Sequence, residues 1–516
     1  MQFLNSIRLI QGGMGVYVSN WRLAKAVASE KPKETVGTVS GTGLDVVYVR
    51  LLQLGDPGGH LRRAMRAFDR KFEVEIGKKI LVKYFIEGGK QPTDRFKNAP
   101  KQIVRTPHKG NALPADDQGS GSVPLSVDQE VVEMLIATGF AEVWLAKEGH
   151  EGNIFINFLK KVELPLIYTL YGAMLAGVDG VIVGAGNPDG LPASATRLAN
   201  HETVHTDINV LYREAGENFH VPFDPKSVAN GMLARAPIKR PAFLAIVSLE
   251  NLVMALAKSQ SEAPDGFIIE HHTAGGHNAA PQGRLEKDEL GQPIYTENDE
   301  PNLQAIRETG LPFWLAGGYG SHPQLNQALA AGANGVQVGS VFALSEDSGM
   351  KSQYRAAILN ALKTGVDDAA LVQTTLFSPT GFPFKVVQLE GTLAKESVYE
   401  DRQRVCDIGL LEQRGLTKAD EDGTRRVFQR CSAAPINGYI NKRGLEFNTQ
   451  ERRCLCNGLL SCVGLGQVTS QNGTLTEEPA IVTMGNDLTG IRRLSRNGQT
   501  IYWARDVIAD ILGTAS

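Results

Sequence analysis

The chain has 516 residues, 42% hydrophobic and 21% charged, enough to bury a large core and too many for one minimal domain. A net charge of −3 sets up no field that would draw nucleic acid or an anionic membrane. No apolar run reaches the roughly 18 residues of a spanning helix, and the N-terminal stretch lacks the pattern of a signal peptide, so the expectation is a cytoplasmic protein with no membrane partner.

Short apolar runs ending in glycine-rich or polar turns recur along the chain, and helical spacing follows several of them. The first predicted strand is Ile7–Gln11, ending at Gly12-Gly13-Met14-Gly15. The second is Val36–Val39, ending at Ser40-Gly41-Thr42-Gly43. The third is Ile154–Phe158, and the fourth is Gly180–Val183, ending at Gly184-Ala185-Gly186-Asn187-Pro188. The fifth is Phe243–Val247. The sixth, Gly266–Glu270, runs into His271-His272-Thr273-Ala274-Gly275-Gly276-His277-Asn278. The seventh, Phe313–Ala316, ends at Gly317-Gly318-Tyr319-Gly320, and the eighth, Val336–Val338, ends at Gly339-Ser340. Eight such strands predict an α/β fold, a TIM (β/α)8 barrel, whose loops at the C-terminal strand ends build the active site. An open doubly wound sheet alternates in the same way and is the competing arrangement.

Two segments exceed a minimal barrel. An insertion follows strand two, over about residues 45–150, inside a barrel expected over residues 1–390. Within it Gly88–Glu130 is rich in Pro, Gly, Lys and Asp, contains Gly119-Ser120-Gly121-Ser122, and predicts a long solvated loop. Its basic residues Lys90, Arg95, Lys97, Lys101, Arg105 and Lys109 would otherwise suit an anionic partner. The second addition is a C-terminal extension, residues 391–516, which carries all five cysteines.

The turns after strands seven and eight suggest a phosphate site. Gly317-Gly318 precedes a helix with Ser321 as its cap and Pro323 in its first turn, running to a stop at Gly332. Glycines let backbone N–H groups approach a phosphate, and a helix N-terminus adds partial positive charge. Gly339-Ser340 can supply further donors and a hydroxyl. His277, just beyond strand six, is the candidate proton carrier, because an imidazole titrates near neutrality. A metal site of His271, His272 and His277 is disfavoured, because neighbouring residues on an extended segment point to opposite faces.

The motifs Gly266–His277, Leu315–Gly318 and Gly335–Ser340, with Gln11–Gly15 and Gly184–Pro188, resemble the nitronate monooxygenase family. The same pattern marks bacterial FMN-dependent enoyl-ACP reductases and the trans-acting enoyl reductases of polyketide and polyunsaturated fatty acid synthases. The resemblance implies noncovalent FMN at the barrel mouth. Gly13 and Met14 would lie against the flavin ring, Asn157 would contact it, and Gly184 and Gly186 would line the same mouth. Gly275 and Gly276 would pass beside the ribityl chain; Gly317, Gly318, Gly339 and Ser340 would hold the phosphate with Gln337 nearby; His277 would be the acid/base residue. The implied partners are a small-molecule substrate with O2, or with NAD(P)H if the protein is an enoyl thioester reductase. A noncatalytic flavin-binding assembly subunit is the third reading, and a homo-oligomer is compatible with all three. The insertion, the tail and the loop Asn278-Ala279-Ala280-Pro281 depart from compact family members.

Cys406, Cys431, Cys454 and Cys456 could bind zinc or an iron–sulfur cluster, or they could be buried free thiols. Ser378–Lys385, with aromatics between prolines, could be a lid over substrate or a core plug, and Lys385 could meet an anionic substrate group or the flavin.

Overall fold

The eight apolar runs close into a barrel in the computed structural model, which describes residues 2–115, 121–471, 473–495 and 501–514. The strands are β1 (Leu9–Gln11), β2 (Thr35–Ser40), β3 (Asn153–Leu159), β4 (Gly180–Gly184), β5 (Ala242–Val247), β6 (Gly266–Glu270), β7 (Phe313–Ala316) and β8 (Gly335–Val338). Each pairs in parallel with the next, and β8 returns to β1 through Leu9 opposite Val336. The TIM barrel is therefore the fold, and the open sheet is excluded.

Both faces of these strands are covered, which is why they read as continuous apolar runs. Ile10, Val36, Phe155, Ile182, Leu244, Ile268 and Trp314 fill the interior. Leu4 and Ile7 join them from the N-terminal segment, and the Trp314 indole donates to the Ile7 carbonyl at 3.1 Å. The outward face packs on a ring of helices. These are α1 (Trp21–Glu30), α2 (Gln129–Lys147), α3 (Glu163–Leu175), α4 (Leu191–Ala199), α5 (Glu250–Ala257), α6 (Leu303–Arg307), α7 (His322–Ala330) and α8 (Ala504–Leu512). Asn20 caps α1, accepting from the N–H groups of Arg22 and Leu23. The last helix comes from far along the chain: α8 lies against both α1 and α7, so the extension supplies the piece that closes the helical ring.

Helices α2 and α3 are buried on nearly every side. They meet backbone to backbone, where a Cβ on Gly172 would stand 2.0 Å from the Ile136 carbonyl oxygen and one on Gly139 would stand 2.4 Å from that of Thr169. The additions cover what a bare barrel would expose. The segment after β2 forms helices Leu44–Gln53, His60–Phe72 and Ile76–Tyr84 before the chain runs, with little regular structure, to α2. That run is anchored: Gln467 accepts from the Phe96 N–H at 2.8 Å and donates to its carbonyl. Of its basic residues, Arg105 pairs with Asp128 at 2.8 Å. Gly119 and Ser120 lie outside the described residues.

A third excursion, after α4, has no counterpart in the sequence expectations. Its strand Asn218–Phe223 pairs with Val204–Ile208 on one side and Ser122–Pro124 on the other, and Phe223 packs on the α3 rings Tyr168 and Tyr171. A four-stranded sheet joins all three additions, in the order Val210–Leu211, Gln413–Leu416, Arg425–Arg430, Ala112–Leu113. A buried Arg425–Glu217 ion pair ties the extension to the third excursion. No helix among the described residues is long and apolar enough to cross a membrane.

Candidate active site

The loop after β1 is set by one buried side chain. Gln11 donates to the Gly12 carbonyl and to Ser19 Oγ, and its Oε1 accepts from the Thr38 N–H at 2.8 Å. Gly12, Gly13 and Met14 are thereby held at the barrel mouth. Two cavities open there. Gly13, Met14, Glu270, Gly275 and Gln337 line both, so they form one slot.

One end of the slot is walled by Gly317, Gly318, Gly339 and Ser340. Gly317 and Gly318 have φ of 84° and 82°, a left-handed pair that glycine alone adopts without strain. Ser321 caps α7 beside them, its Oγ accepting from the Gln324 N–H. Residues from the extension complete this wall. The Gly485 N–H donates to Ser340 Oγ at 2.8 Å, and a Cβ on Gly275 would stand 2.7 Å from the Gly485 nitrogen. Asp487 stands here too, accepting from Gln324 Nε2 at 3.0 Å and from the Thr489 N–H. The charged residues lining this end, Glu270 and Asp487, are both acids.

The other end is lined by Asn157, Gly184, Gly276, His277 and Phe384. Ala185 lines it as well, with a left-handed φ of 56° that is strained for alanine. A further cavity, lined by Gly186, Asn278 and Phe382, adjoins His277 from outside. The sequence-predicted positions, His277 included, thus surround one mouth.

His277 is fixed by an antiparallel pairing in which Gly276 and His277 lie opposite Lys385 and Phe384. Of the two readings of the Ser378–Lys385 segment, the core plug describes Phe384, which is buried and packs its ring edge-on against the imidazole at 4.8 Å. His277 Nε2 is buried with no hydrogen-bond partner. Burial and the nearby Lys161 charge hold its pKa well below the usual value, so the ring is a neutral base at physiological pH.

Three charged groups accompany it. Lys161, just past β3, has a buried, unpartnered Nζ lying 4.0 Å from the Phe382 ring centroid. Burial pushes its pKa down to about 6, while the ring face favours the cation. Burial raises the Glu270 carboxyl, at the end of β6, to about 7. Lys385 donates to Thr374 Oγ1 at 2.9 Å, and burial lowers it to about 8. Lys161 and Glu270 escaped the sequence reading because a lone charge at a strand end looks solvated. Gly485 and Asp487 escaped it because no motif marks them; the signal would have been the Gly-Asn-Asp turn inside the tail.

His271 and His272 do not splay. The chain turns after Glu270, their ring centroids lie 3.9 Å apart, and they gather with Glu300 within 4.8 Å, leaving His277 out of that group. Both His271 nitrogens are already engaged, with Thr273 and Glu300. The four cysteines of the tail do converge, around a small cavity apart from the slot.

A closed barrel with a glycine-lined slot and a buried base at its C-terminal mouth has the form of a (β/α)8 enzyme. The family model described as nitronate monooxygenase matches residues 220–378. That span holds β5 to β8, His277 and both glycine turns, so the likeness read from these motifs is borne out there. Among solved structures the chain is similar to FabK from Thermotoga maritima, at 12% identity and a TM-score of 0.42, over 99% of this chain and 94% of that one. It is also similar to nitroalkane oxidase from Streptomyces ansochromogenes, at 15% identity and 0.40, over 98% and 96%. The enoyl reductase domain of MlnA, from the macrolactin biosynthesis cluster of Bacillus amyloliquefaciens, matches at 11% identity and 0.44, over 98% and 93%. No curated protein matches the chain.

Proposed function

We propose that the protein is an FMN-dependent oxidoreductase of the cytoplasm that oxidises alkyl nitronates, with His277 as its acid/base residue. The observation that carries the reading is the slot that ends against an unpaired, buried imidazole nitrogen. The residues present fit FMN. Backbone at Gly13, Gly275 and Gly276 leaves a narrow wall for a planar ring, and Gln337 Oε1 is buried there without a partner. Gly317, Gly318, Gly339 and the α7 N-terminus would hold the phosphate. When bound, FMN supplies the electron and O2 chemistry.

The chain's own residues control protons and charge. His277 Nε2 takes a proton from the α-carbon of a neutral nitroalkane, or donates to a nitro oxygen once protonated. Lys161 meets anionic oxygens and regains its proton as they arrive. Phe382 and Phe384 keep water from the imidazole. Anaerobic mixing tests the assignment: a nitronate alone should bleach the flavin. Bleaching only by NADPH would favour an enoyl thioester reductase, and bleaching by neither a noncatalytic subunit.

Two expected results arise from the charges. Lys161 loses its proton above about 6 and Glu270 gains charge near about 7, so both changes oppose an anion as pH rises. The dissociation constant of nitrate, a planar anion of nitronate shape, should rise at least about tenfold from pH 6 to 8. The Lys161→Met variant should lose the Lys161 share of that dependence and keep only the part due to Glu270, as followed by flavin absorbance. At the phosphate end, one carboxylate beside a dianion costs on the order of 1 kcal/mol. Asp487→Asn should therefore tighten FMN about fivefold in a fluorescence titration; weaker binding would mean that the carboxylate mainly orders its loop.

A further inference from the structure

The extension gathers four thiols from three separate stretches of chain. Cys406, Cys431, Cys454 and Cys456 line one small cavity, with Asp407, Leu411, Ala433 and Asn457 between them. All are free thiols. Cys462, one turn beyond the cavity, packs elsewhere, in the core beside Met350 and Val482.

Buried thiols that merely fill space need no polar company. These have it. Backbone N–H groups of Leu410 and Leu411 are directed at the Cys456 sulfur, and that of Asn457 at the Cys454 sulfur. Cys454 stands at the N-terminal boundary of the helix Leu455–Cys462, an end that favours negative charge. Arg50 and Arg402 are near enough for their charges to act at Cys454. Arg50, Arg402 and Arg453 are 1%, 5% and 3% exposed, and the Nε of each lacks a partner. Their carboxylate partners Asp407, Glu478 and Glu396 answer only part of that donor set. An anionic occupant bound through thiolates would account for both the directed N–H groups and the surplus guanidinium donors.

The spacing selects the occupant. Zinc–sulfur bonds of about 2.3 Å put the sulfurs of a tetrahedral site about 3.8 Å apart. Among the described residues, no three cysteine sulfurs fall within 4.8 Å of one another. Cys406 and Cys431 are in side-chain contact and no third sulfur of the described residues joins them at that spacing, so the set is more open than a tetrahedral zinc site.

We propose that Cys406, Cys431, Cys454 and Cys456 ligate a [4Fe–4S] cluster. The family match ends at residue 378, before the first of these cysteines, so it does not bear on the site. The same helix carries Leu459, which lines the slot beside His277. At 1.5 Å per residue, Cys454 and Cys456 lie about 5–8 Å from it along the axis. The cluster would thus sit beside the barrel mouth.

The test uses the full chain, produced with added iron and purified without oxygen, or reconstituted with ferrous iron and sulfide. About four iron and four labile sulfide per chain are expected, with an electron paramagnetic resonance signal after dithionite reduction. Cys431→Ser and Cys454→Ser should each lose most of the iron while Cys462→Ser keeps it. Stoichiometric zinc without iron, a Cys406–Cys431 disulfide in the anaerobic protein, or no metal after reconstitution would each overturn the assignment. If the serine variants fail to fold, the iron and sulfide content of the unaltered chain decides alone. None of these measurements depends on flavin turnover, so failure here is distinct from failure of the nitronate reading.

Discussion

His277→Ala is expected to retain FMN and lose about 10²- to 10⁴-fold in turnover of a neutral nitroalkane. The phosphate end of the slot is built from other residues, so cofactor stoichiometry should not change. The pairing of His277 with Phe384 is a backbone one and survives the substitution. A preformed nitronate has already lost its proton, so its oxidation should fall far less than that of the neutral acid. Comparing the two substrates by anaerobic flavin reduction separates a base from a wall. Equal losses on both would remove the proton-transfer role, and partial rescue by added imidazole would support it.

Gly172→Ala should destabilise the protein by about 3 kcal/mol or more, because the new methyl would meet backbone and not a yielding side chain. The Ile136 carbonyl oxygen would lie 2.0 Å from it, and α2 can retreat only by leaving its neighbours. Helix propensity works the other way and is too small to compensate. Gly438→Ala is the matched control: it lies in the helix Ile436–Ile440, with nothing within 4 Å of an added Cβ. That change should stabilise by about 0.5–1 kcal/mol. Opposite signs for one chemical change, measured by urea denaturation, would establish that backbone contact between α2 and α3 is the cause.

The barrel was legible because each strand is buried on both faces and most end in glycine turns, two signals that coincide along the chain. The third excursion was not, since Val204–Ile208 carries three polar residues in five and the sheet is completed by a distant strand, Ser122–Pro124, on the other edge of Asn218–Phe223. At the mouth, the glycines announced themselves because backbone approach requires them. Lys161 and Glu270 could not, because what makes them unusual is the desolvation that the assembled walls impose. The approach of the adjacent histidines was hidden for a related reason: the chain turns after Glu270, where the sequence pattern predicts an extended strand. The cysteine spacing was visible throughout, but only folding brings position 406 beside 431 and 454.

The wall at Gly485 and Asp487, and the ring position filled by α8, bear on how the molecule comes into being. A chain leaving the ribosome has all eight strands long before residue 483 appears. Until then Gly275 and Ser340 face an open trough, and α1 and α7 have an unfilled gap between them. Cofactor capture should thus be among the last events of biogenesis, following synthesis of the strands. A nascent chain stalled between residues 400 and 480 should hold a nearly complete barrel that retains no flavin.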